Sequence, residues 1–122
     1  MTSKHRNPRG PLLDMREHAQ RVAAIMRGRT IRDVTDDRDL MLRPALERLL
    51  EIIGEAANRV PREVQDRFPQ IPWAAIIGLR NLLAHGYDSI DPQKLWATAT
   101  VNVPELLRHL DAAIEQQPPF EN

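Results

Sequence analysis

Arg80, Asn81, His85 and Tyr87 lie within eight residues of one another, at the end of an otherwise apolar run from Ile76 to Leu83. A histidine that titrates near neutrality can take or give a proton. A guanidinium can neutralise charge growing on a phosphate, and an amide can position either group. These are the requirements of metal-free RNA cleavage, in which the ribose 2′-hydroxyl attacks its own phosphate and DNA, lacking that hydroxyl, resists. The same residue types also suit a histidine closing a helix C-terminus beside an arginine paired with a carboxylate.

The run that carries them reads as a helix opened by Pro72 and Trp73, lasting to about His85 and stopped at Gly86, which readily takes a left-handed cap. Asn81 and His85, four apart, share a face, and Ile76, Leu79 and Leu83 form the neighbouring apolar stripe. Five steps of helical period set Arg80 about 140° from His85. One copy of the helix does not easily close this pair around a small target, so the geometry points to a second copy. Tyr87, just past the glycine, reads as a turn residue with an accessible hydroxyl; a core tyrosine with a satisfied hydroxyl is the alternative.

Other chemistries fit less well. His5, His18, His85 and His109 are scattered, without the short spacing of a zinc or di-iron site, and no cysteine supplies a thiolate. Glu47, Glu51 and Glu55 recur every four residues, but with Arg43, Arg48 and Arg59 nearby they read as a salt-bridged helix face. There is no glycine-rich phosphate loop and no Gly-x-Ser-x-Gly elbow. No metal or cofactor is expected.

The rest of the chain must position these residues. Its 122 residues suffice for one domain with a proper core. The 17 basic and 17 acidic residues balance, which removes a global basic signature but not a local one. Fifteen of the 17 basic residues are Arg, a bias that suits bidentate phosphate contacts and also follows from base composition. No apolar run reaches membrane-span length and the N-terminus lacks a signal-peptide core, so a cytoplasmic protein is expected.

In chain order, residues 1–11 read as a flexible basic arm, 12–116 as a helical domain and 117–122 as a flexible tail. The first helix is expected from Leu12 or Leu13 to about Met26, ended by Gly28. Residues 27–37 read as a polar connection in which Thr35 or Asp36 caps a second helix, from about Asp37 to Asn58. Pro44 would bend that helix or mark a true start nearer Arg43. Pro61 starts a short helix to about Phe68. Asp91 and Pro92 cap and open a last helix, which Pro104 should kink near Asn102. Nothing alternates with period two, so the fold class is all-α, a four- to five-helix bundle.

Arg80-Asn-Leu-Leu-Ala-His85-Gly-Tyr87 resembles the Arg-x4-His-x-Tyr signature of the HEPN superfamily, and in particular its HepT-like toxin branch. Leu49 to Ala57 is similar to that branch's second-helix segment, Ile71-Pro72-Trp73 to its approach to the motif helix, and Ile90-Asp91 with Leu95-Trp96 to its continuation. The similarity runs from about Leu12 to Ile114; the basic arm and the Arg-rich connection from Arg27 to Arg38 lie outside it. The resemblance implies a helical homodimer whose two motif helices meet, with Arg80 and His85 as catalytic residues in one RNA-binding cleft and Asn81 in support. It also implies a toxin whose partner is a minimal nucleotidyltransferase antitoxin, able to neutralise it by transferring AMP to Tyr87. Superfamily members that have lost catalysis and only bind a nucleotidyltransferase or nucleic acid supply the alternative.

Overall fold

The computed structural model describes residues 7–36, 38–84 and 91–117, and the described residues form helices and connections with no strand. Helix α1 spans Arg9–Met26 and buries Leu12, Met15, Ala19, Val22 and Met26, one side of a 3.6-residue period. It begins at Arg9, ahead of the expected Leu12 or Leu13. The Asn7 side chain accepts from Arg9 N at 2.8 Å, and Arg9 Nη1 donates to the carbonyls of Ile114 (3.1 Å) and Gln117 (3.0 Å). A polar first turn is thus held by the far end of the chain, which hydrophobic spacing cannot register. Gly28, at φ +77°, ends α1 as expected.

The polar connection contains a short helix that was not expected. Helix α2 (Ile31–Thr35) inserts fully buried Val34 into the core, and Thr30 N donates to Asp33 Oδ2 at 2.8 Å. Thr30-Ile-Arg-Asp33 is a capping pair at the right spacing, but a helix of five residues with one buried apolar position carries no periodic signal. Asp36 therefore does not cap the next helix; it accepts from Arg32 Nε at 2.9 Å. Helix α3 (Leu42–Asn58) starts five residues later than the Asp37 expected for it, close to the alternative start at Arg43. Pro44 falls in its first turn, where its missing N–H costs no ladder bond.

Helix α3 is the central rod, packed against α1 on one side and against α5 (Trp73–Ala84) on another, and α1 also packs on α7 (Val103–Glu115). Leu46, Leu50 and Ile53 of α3 are essentially inaccessible, as are Leu12 and Met15 of α1 and Leu110 of α7. Each such side chain contributes about 1.5–3 kcal/mol by leaving water. The short α4 (Arg62–Arg67) follows Pro61 and buries Val64. The predicted stop at Gly86 lies outside the described residues.

The last rod opens as expected, with Asp91 accepting from Gln93 N at 3.1 Å and Pro92 at the first position of α6 (Pro92–Ala97). The expected disturbance near Asn102 is a π-helical turn, Thr98–Asn102, in which Val103 N reaches back to Thr98 O. Pro104 has no hydrogen to return to the carbonyl of Thr100, and widening the preceding turn absorbs that loss before α7 begins. Thr100 Oγ1, in the turn, donates to the carbonyl of Trp96 in α6 at 2.7 Å.

Candidate active site

Helix α5 is fixed at its start by a buried polar contact. Trp73 Nε1 donates to the carbonyl of Phe68 at 3.0 Å, and Phe68, Ile71, Trp73 and Ile76 are all buried around it. One helical turn beyond Ile76 stands Arg80, half-buried, where α5 crosses α3 at Gly54. The crossing is close: a Cβ placed on Gly54 would meet Ile76 O at 2.7 Å and the Cβ and N of Arg80 at 3.1 Å each. Only glycine lets the two backbones approach this far. A lone glycine between Ile53 and Glu55, inside an apolar helical run, is the sequence signal for such a contact.

Arg80 lines an open depression of about 400 Å³ together with Glu51, Glu55, Asn58 and Arg59 of α3 and its C-terminal end. The two carboxylates are already engaged, since Arg48 Nη1 lies 3.1 Å from Glu51 and 3.8 Å from Glu55. The salt-bridged reading of this face therefore holds at Glu51 and Glu55. Arg59 departs from it and pairs with Asp14 of α1 at 3.1 Å. Among the described residues the Arg80 side chain makes no ion pair, so its charge is available to an incoming anion.

Asn81 is exposed and faces elsewhere. It lines a second, larger depression of about 810 Å³ with Arg62, Gln65, Asp66, Trp73 and Gly78, one helical step around α5 from the Arg80 side. Within one chain Arg80 and Asn81 are thus divided between two faces of α5. His85 and Tyr87 lie outside the described residues. The stripe predicted for α5 holds: Ile76 is buried, and Leu79 and Leu83 pack partly against the core.

A family model described as ribonuclease HepT-like matches residues 15–113. The chain belongs to the HepT-like ribonuclease family. This HepT-like chain is similar to a Methanocaldococcus jannaschii protein named "Putative RNase MJ1380", 39% identical over 71 residues that cover 58% of this chain and 65% of that protein. A Caldanaerobacter subterraneus subsp. tengcongensis protein named "Putative RNase TTE0752" is 32% identical over 80 residues, covering 66% of this chain and 71% of that protein. A Thermococcus cleftensis protein named "Probable ribonuclease HepT" is 39% identical over 62 residues, 51% of this chain and 56% of that protein. The matched part of the chain thus spans somewhat over half the length of several curated relatives. No solved structure matches it. No helix among the described residues is long and apolar enough to cross a membrane.

Proposed function

We propose that this HepT-like chain is the toxin of a toxin–antitoxin pair, a metal-independent endoribonuclease that works as a homodimer. The observation that carries this reading is Arg80, whose side chain makes no ion pair among the described residues and which borders an open depression in a chain matched to the family over residues 15–113. In the reaction the ribose 2′-oxygen forms a bond to the adjacent phosphorus, the bond to the 5′-oxygen breaks, and a 2′,3′-cyclic phosphate remains. His85 carries the proton, from the 2′-hydroxyl or to the departing 5′-oxygen, and Arg80 offsets the charge growing on the phosphoryl oxygens. No cofactor takes part.

The dimer is supported by the outer side of α5. Ala74, Ala75 and Gly78 are exposed there, with half-buried Ile77 and exposed Asn81 beside them, so one side of a largely apolar helix faces outward with little more than methyl groups and one amide. A second copy of α5 packed on that surface would put the two Asn81 in the seam, with both copies of His85, four residues beyond Asn81, and of Arg80, on the adjoining face, bordering one cleft.

Regulation falls to a minimal nucleotidyltransferase antitoxin. Attack of the Tyr87 hydroxyl on the α-phosphorus of ATP forms a Tyr–O–P bond and releases pyrophosphate, leaving bulk and negative charge two residues from His85. The modification adds about 329 Da, the mass of an adenylyl group. The test of the whole reading is purified chain on a single-stranded oligoribonucleotide and on its all-deoxy counterpart. Cleavage of the first alone supports it. A folded dimer that binds RNA or a nucleotidyltransferase without cutting would favour the non-catalytic alternative.

A further inference from the structure

We infer that Gly54 is a positioning residue for Arg80, setting the guanidinium's place over the α3 face by the distance at which α5 crosses; this rests on the ribonuclease reading of the site. Gly54 sits between Glu51 and Glu55 in sequence, one turn before Asn58, so the crossing point lies directly beside the depression that Arg80 borders. Its nearest neighbour is Ile76 O, a backbone atom that no rotamer change can move aside, at 2.7 Å from a Cβ on residue 54. Arg80 N and Cβ follow at 3.1 Å. Any side chain at position 54 therefore drives α5 as a body away from α3 and takes the root of Arg80 with it, because the obstacle is the helix backbone rather than a flexible tip. Arg80 gains from the close approach. Its side chain leaves the helix half-buried against Gly54 and enters the depression with fewer conformations open to it than at an exposed helix site.

A group that stabilises transition-state charge loses about a hundredfold on misplacement by 1 Å, so the displacement should appear in kcat more than in KM. The experiment is a double-mutant cycle of Gly54→Ala and Arg80→Ala, assayed on an oligoribonucleotide. Gly10→Ala is the control, since a Cβ there meets nothing within 4 Å. Gly54→Ala should lose about tenfold or more in kcat with KM changed less than about threefold. In the Arg80→Ala background the same substitution should cost less than about twofold, because the group it misplaces is already gone. If Gly54→Ala is unstable, it is assayed in trimethylamine N-oxide, which favours the folded state without altering the crossing. Recovered folded signal with cleavage still low supports the role; recovered cleavage makes Gly54 a packing residue only and overturns it. Equal losses in both backgrounds also overturn it, while the ribonuclease reading stands. A wild-type chain that cuts no RNA removes that reading and the role together.

Discussion

The indole of Trp73 and the carbonyl of Phe68 form a buried hydrogen bond of 3.0 Å, and that bond fixes the start of the helix on which Arg80 stands. Removing the indole donor leaves the Phe68 carbonyl with its other donor, the Ile71 N–H at 3.1 Å, and loses one buried hydrogen bond. Trp73→Phe should therefore cost about 0.5–1.5 kcal/mol in urea unfolding. Because α5 loosens at its root, cleavage should also fall while the circular dichroism of the folded state is kept. Unchanged stability would show that the Ile71 N–H suffices for the Phe68 carbonyl and that the indole bond does not hold α5.

Arg9 ties the first turn of α1 to the end of α7 through the carbonyls of Ile114 and Gln117. A cation at a helix C-terminus also meets the negative end of its dipole. Arg9→Ala should destabilise the fold by about 1–2 kcal/mol and speed hydrogen exchange in the last turn of α7 more than in α3. Uniform exchange rates in the two helices would contradict this.

Asp36 provides the pH-dependent case. Its hydrogen bond from Arg32, with the charges of Arg32 and Arg38 and the Thr35 hydroxyl assisting, holds its carboxyl below the ordinary value of 3.8. A depressed carboxylate contributes stability that is present above that value and is lost as pH falls through the folded one. The contribution is small because the pair is exposed to solvent. Asp36→Asn should thus lower the melting temperature slightly at pH 7, and the gap between variant and wild type should close as the pH drops below 3.8. A gap that persists in acid would trace the effect to packing of α2.

Gly78 tests the dimer. A Cβ added there meets nothing within 4 Å in the single chain, so Gly78→Glu leaves the fold intact. Two such carboxylates facing each other across paired α5 helices would repel and be desolvated. Sedimentation at micromolar concentration should show dimers of the wild type, burying at least about 800 Å² per subunit, and monomers of the variant. A variant that stays dimeric would move the interface off this face of α5.

Much of this arrangement was legible in the sequence, for physical reasons that also mark where it stops. Helices α1, α3 and α7 bury apolar residues at a regular helical period over several turns, so their existence and inner faces could be read from spacing. Asp91-Pro92 and Gly28 punctuate the chain through local chemistry that needs no tertiary partner. By contrast, α2 is too short for periodicity, and the early start of α1 depends on a residue more than a hundred positions away. At the site, the sequence separated Arg80 from its motif partners by helical angle. It did not disclose that Gly54 brings α5 into backbone contact with α3, or that Arg59 leaves the acidic face for Asp14. Both depend on how two rods cross, which no single helix's pattern encodes.

The central claim is that Arg80 and His85 cut RNA by 2′-hydroxyl attack without a metal. It is tested most directly by digesting one oligoribonucleotide in EDTA with wild type, Arg80→Ala and His85→Ala, and by reading fragment ends by mass spectrometry. Wild type should cleave, leaving a 2′,3′-cyclic phosphate or its opened product on the upstream fragment, and each variant, still folded, should be slower by about a hundredfold or more. Cleavage that EDTA abolishes and magnesium restores, or an Arg80→Ala variant as fast as wild type, would contradict it.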